Sequence, residues 1–210
     1  MPRQRFLKLQ PELQARILDV ATEEFATHGF SGASYNRIIE RTGTSKGAMY
    51  YYFEDKADLY GTVLRHCLGH FTTYLGAVEP VTTVDAYWAQ ALEMTRASFR
   101  YYRDAPFMAA IARGLVKALQ QGQATQAALE YRDALRAWMS LLASAGQAVG
   151  AVRTDLPTDL LMSLAVSVSE GVDFWLAERI DELDDDELEA LAHTTLDLYR
   201  RMAQPAEPTP

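Results

Sequence analysis

Apolar residues recur at helical spacing along nearly the whole chain, and no stretch of useful length alternates with a period of two. Leu13, Ile17, Ala21 and Phe25 mark the inner face of a first helix that Pro11 can open, with Glu12 in its first turn, and that Gly29 stops. Ser34 can cap a second helix reaching Arg41 with Ile38 inward, and Gly43 can take the positive φ that ends it. Ser45 then caps a third helix on which Met49 and Phe53, four apart, share the inner face. Asp55, with Asp58 three residues on, opens a fourth from Lys56 to about Gly76, with Leu59, Val63, Leu64, Cys67 and Phe71 inward. After a break at Pro80 to Thr83, five more helices are predicted at 83–102, 105–120, 123–148, 157–180 and 185–203. The fold class is all-α, with about nine helices and no internal repeat.

The Gly43 to Phe53 stretch is the most informative. Its three-residue turn has the length a helix-turn-helix needs, and Lys46, Gly47, Tyr50 and Tyr51 look outward from the helix that follows. Phenols and a lysine suit phosphates and base edges better than a hydrocarbon core. Taken with the Ile17/Ala21/Phe25 helix, the Gly29-Phe30 stop and Asp55-Lys56, residues 12–64 resemble the DNA-binding head of the tetracycline-repressor (TetR) family of bacterial transcription regulators. Thr44, Ile39 and Tyr52 depart from that family's usual aliphatic, alanine and histidine. The resemblance implies a three-helix head over residues 1–56, a ligand-binding and dimerisation body over 57–203, and a homodimer that binds double-stranded DNA in the cytoplasm. It places Lys46, Gly47 and Ala48 at the major groove, Tyr50 and Tyr51 at backbone or bases, and Asn36 near the groove. Tyr35 and Arg37 fall near the backbone, Ser45 at the turn, and Lys56 at a phosphate.

Charge fits this division. The net charge is −8, yet residues 1–56 hold eight Lys/Arg against seven Asp/Glu, which leaves −9 for residues 57–210. An acidic body suppresses non-specific DNA binding, and a weakly basic head depends on two copies acting together. Arg3, Arg5 and Lys8 make residues 1–9 a basic arm, either a solvated tail or a further phosphate contact. A 49% hydrophobic content supports a real core, and the single Cys67 excludes an internal disulfide framework. The longest uncharged run, Ala137 to Val152, falls short of the roughly 20 apolar residues a membrane span needs, and the start lacks the apolar stretch of a secretory signal.

In the body, the resemblance implies a small-molecule effector, apolar or aromatic, in a cavity to which Trp88, Phe99, Tyr102, Phe107, Met108, Trp138 and Phe174 could contribute. It also makes the last two helices the dimer interface, through Leu161, Ala165, Val168, Gly171, Val172 and Trp175 on one and Leu191 and Leu198 on the other. No cofactor and no metal are expected. His66 and His70 lack further ligands at recognisable spacing, and the acids of Asp181 to Glu189 read as a helix cap rather than a calcium loop. The proline-rich tail 204–210 is expected to lack fixed structure. Two other functions compete: an architectural DNA-binding protein without effector, and a serine hydrolase, because Gly43-Thr44-Ser45-Lys46-Gly47 fits Gly-x-Ser-x-Gly. The hydrolase reading needs a strand before Ser45, where a helix is predicted, so no enzyme activity is expected.

Overall fold

The computed structural model describes residues 4–205; the Arg3 end of the arm and residues 206–210 of the tail lie outside it. Among the described residues every regular element is an α-helix: α1 Gln4–Leu7, α2 Pro11–Gly32, α3 Tyr35–Thr42, α4 Lys46–Tyr52, α5 Lys56–Leu75, α6 Val84–Asp104, α7 Pro106–Gln120, α8 Gln126–Ala148, α9 Thr158–Ala177 and α10 Asp185–Ala203. The tenth helix, beyond the nine expected, is α1. It corrects the view of residues 4–9 as a solvated tail, because Phe6 is buried against Phe53 with ring centroids 4.8 Å apart. Burying one such ring contributes about 1.5–3 kcal/mol, and tertiary packing of this kind holds a four-residue helix that could not persist alone.

The chain forms two compact units. The first runs to His70 and adds Ala105–Arg132, so among the described residues it contains 4–56 together with most of α5, with α7 and with the start of α8. Here α2 packs on α3 and α7, α3 on α4, and α1 on α4. Ile17, Ala21 and Phe25 are buried as the spacing predicts, and Gly29 (φ 64°, ψ 174°) breaks the helical path before Gly32. On α5, Leu59, Val63, Leu64 and Cys67 are buried. Burial pushes the Cys67 thiol and the Tyr60 phenol up to about 12.

The second unit comprises Phe71–Asp104 and the chain from Asp133 onward. α6, α9 and α10 pack together in it. Tyr87, Trp88, Ala151, Val152 and Leu161 form one core cluster. Gly146 is required there, since an added Cβ would collide with Val152 Cγ2 and lie 2.7 Å from Tyr87 Cζ. The acidic run caps α10 as expected: Asp184 accepts from the Glu187 N–H at 2.9 Å, and the Glu187 side chain accepts from the Asp184 N–H at 3.0 Å. Two more of its acids tie α10 to α6, Asp185 to Arg103 at 2.7 Å and Glu189 to Arg96.

Candidate nucleic-acid interface

Local capping builds the helix-turn-helix. The Ser34 hydroxyl accepts from the Arg37 N–H at 3.3 Å and starts α3, and Gly43 (φ 67°) ends it. The Ser45 hydroxyl accepts from the Ala48 N–H at 3.1 Å and starts α4. That contact gives Ser45 a helix-capping role, and α3, not a strand, precedes it. Met49 and Phe53 are fully buried, which fixes the rotation of α4 and turns Lys46, Gly47, Tyr50 and Tyr51 outward. A Cβ added at Gly47 would meet nothing within 4 Å, so this chain's own packing does not require glycine there. Asn36 is exposed at the start of α3, and Ala48 is half-buried.

Three of the expected contact residues spend their polar groups inside the chain. The Arg37 Nε lies 3.0 Å from Glu24 Oε1, a carboxylate only 2% exposed. The Lys56 ammonium donates to the Ala33 carbonyl at 2.9 Å and sits 4.9 Å from the Phe30 ring centre. The Tyr35 hydroxyl donates to the Met49 carbonyl at 3.3 Å, with its ring edge-on to Tyr50. These side chains bind α2, α3, α4 and α5 to one another, because each lies at a corner where helix ends leave carbonyls or a buried acid in need of a donor. Arg41 is likewise held by Glu23 at 2.5 Å.

Sequence reasoning missed Glu24 and the pairing of Arg5 with Tyr51. Glu24 follows Ile17 and Ala21 at helical spacing, and that was the available signal of its burial. The Arg5 guanidinium lies 4.1 Å from the centre of the Tyr51 ring.

In the second unit Trp88, Phe99 and Tyr102 are buried, and Trp138 is half-buried. Phe107 and Met108 belong to the first unit, where Phe107 is exposed. Phe174 is also exposed, beside Trp175 on the outer side of α9, so neither ring is part of an interior. The outer side of α9 runs Leu160, Leu164, Ser167, Gly171 and Trp175, whereas Leu161 turns into the chain's own core and Ala165, Val168 and Val172 are half-buried. The 3.6-residue period swings these neighbours off the outer face. On α10, Leu188 and Thr195 are inward, Leu198 is outward, and Leu191 is half-buried. By length and composition α9 could cross a membrane, with a window of mean hydropathy 1.4 of which 17% is buried. Its apolar exposed positions form a stripe interrupted by Ser163, Ser167 and Gly171.

His66 and His70 have ring centres 6.4 Å apart; burial, then His70, lowers the His66 pKa, and Asp19 opposes them. Among the described residues no group of three or more His, Cys, Asp or Glu could hold a metal ion.

Comparison with known proteins agrees with this geometry. Residues 17–63 match the family model of bacterial regulatory proteins of the tetR family, and residues 94–199 match that of the SbtR-like transcriptional regulator C-terminal domain. The transcriptional regulator AcrR of Shigella flexneri is 38% identical over 52 residues, 25% of this chain and 24% of that protein. RutR of Escherichia coli is 34% identical over 84 residues, 38% of this chain and 40% of its own length. The chain thus spans between about a quarter and two fifths of these relatives' length. A TetR family regulator from Chloroflexus aurantiacus superposes with a TM-score of 0.69 at 25% identity, covering 96% of this chain and 97% of that one. The fold is shared with FadR of Bacillus subtilis, solved with stearoyl-CoA, at a TM-score of 0.72 and 16% identity over 90% of this chain and 99% of that one. With a matching helix-turn-helix and a matching C-terminal domain that together cover most of its length, the chain belongs to the TetR family of bacterial transcriptional regulators.

Proposed function

We propose that the protein is a homodimeric repressor whose two heads, residues 1–56, read a palindromic operator and whose body, residues 57–203, binds an effector that releases it. The observation that carries this reading is α4: a capped helix of a helix-turn-helix whose Lys46, Gly47, Tyr50 and Tyr51 are exposed while Met49 and Phe53 anchor it. Half-sites would lie about one DNA turn apart, roughly 34–36 Å, or a multiple of it. The exposed stripes of α9 and α10 support pairing with a second copy as a four-helix bundle, through Leu164, Gly171, Trp175 and Leu198.

An effector is supported by Trp88. Its indole Nε1 is buried and has no hydrogen-bond partner among the described residues, and an unmet buried donor costs about 1–3 kcal/mol. A largely apolar molecule with one acceptor would satisfy it. Release needs the effector to favour one conformer about 10⁴-fold, on the order of 5.5 kcal/mol. The test is fluorescence anisotropy on DNA from upstream of the protein's own gene against a scrambled duplex, over a salt series. Tight binding of two chains per site on the first duplex alone supports the reading, and equal, steeply salt-dependent binding to both refutes it.

A further inference from the structure

Cations in the head fall into two groups. Arg37, Arg41 and Lys56 are held by Glu24, Glu23 and the Ala33 carbonyl. Lys46, Arg5, Lys8 and Arg16 are exposed and make no hydrogen bond or ion pair among the described residues. Arg5 is not adrift, however. Its guanidinium lies on the face of Tyr51, and Tyr51 is exposed on α4 beside Tyr50. The segment that carries it is pinned at several points: Phe6 is buried on Phe53, the Leu9 N–H donates to the Phe6 carbonyl at 3.1 Å, and the Gln14 amide donates to the Leu9 and Leu7 carbonyls at 2.8 and 3.3 Å.

We propose that residues 4–9 are a strap that widens the DNA-facing surface of α4, with Arg5 as a phosphate contact held in place by the Tyr51 ring. This rests on the reading of α4 as the helix that meets DNA. A guanidinium stacked on an aromatic face keeps its N–H donors along its edge, free for a phosphate oxygen. The ring also limits the rotamers of a long side chain, so less freedom is lost on contact. Arg5 therefore offers a phosphate its whole donor edge, whereas the Arg37 Nε and the Lys56 ammonium already donate to Glu24 and the Ala33 carbonyl.

The experiment compares wild type, Arg5→Gln, Arg5→Lys and Lys46→Ala by anisotropy across a salt series. The probes are a duplex enriched by wild type from a random pool and a scrambled duplex. Arg5→Gln is expected to weaken binding about tenfold and to flatten the log affinity against log salt slope by about 0.9 per head, the value for one phosphate. Arg5→Lys, which keeps the charge, is expected to keep the slope. A wild-type slope for Arg5→Gln overturns the proposal. Equal loss in Arg5→Gln and Arg5→Lys without a slope change also overturns it, by showing that Arg5 only steadies α4. Failure of the α4 reading looks different: Lys46→Ala then binds as wild type does. The Arg5 slope can still be read on the scrambled duplex if no sequence is enriched.

Discussion

The Glu24 carboxylate accepts from the Ser34 N–H at 2.8 Å, and the same oxygen meets Arg37 at 3.0 Å. One buried acid in α2 therefore fixes both the first peptide and the first turn of α3. Glu24→Gln keeps the size but removes the charge, and Glu24→Ala strands both donors. Half of Arg37 remains in water, which limits its share. Glu24→Ala is expected to cost about 2–3 kcal/mol in urea unfolding and Glu24→Gln about 1 kcal/mol. Equal stability in all three proteins would refute this role.

Lys46→Ala is expected to weaken operator binding and to lower the salt slope by about 1 per head, with dimerisation unchanged. Anisotropy together with sedimentation reads both quantities.

How much of this was legible in the sequence depended on range. The ends of α3 and α4 could be read because Ser34, Ser45 and Gly43 act on peptides within four residues of themselves. α1 could not, since four residues show no periodicity and the ring that covers Phe6 is Phe53, far along the chain. The same holds for Arg37 and Lys56: their residue types suit phosphate, and only the fold shows that Glu24 and the Ala33 carbonyl reach them first. On α9, composition marked the whole helix as apolar, but the rotation that buries Leu161 and exposes Leu164 is set by packing in the second unit.

Leu164→Glu places a charge on the exposed α9 stripe, where a lone chain tolerates it in water and a helix pair does not. Sedimentation should show a monomer with unchanged helical circular dichroism. A dimer of wild-type stability would remove this face from the interface.

Gly146→Ala forces a methyl group into Val152 and the Tyr87 ring. Overpacking of this kind typically costs about 1–3 kcal/mol. Pairing it with Val152→Ala should recover part of the loss in thermal unfolding, and a neutral Gly146→Ala would show that Tyr87 and Val152 can move aside.

Burial raises Tyr60, Cys67, Tyr87 and Tyr199 alike to about 12. The folded state holds these protons more tightly than the unfolded chain. Their contribution is therefore complete below the unfolded values, about 8.5 for the thiol and about 10 for the phenols. It is lost as pH climbs from there toward about 12, at about 1.4 kcal/mol per pH unit for each group ionised only in the unfolded chain. Urea midpoints should fall steadily from about pH 9 upward, and Cys67 should resist thiol reagents until the protein unfolds. A flat midpoint across that range would contradict the assignment.

Arg37, Arg41 and Lys56 are engaged by their own chain, so part of the positive charge of residues 1–56 is already matched before any DNA arrives. Bulk DNA competes for a regulator chiefly through its phosphates, and a genome presents about 10⁶–10⁹ such rival sites. A head that engages some of its cations in its own architecture is less strongly retained by those rivals than one with every cation free. Fewer copies are then sequestered on bulk DNA than a fully free set of cations would allow.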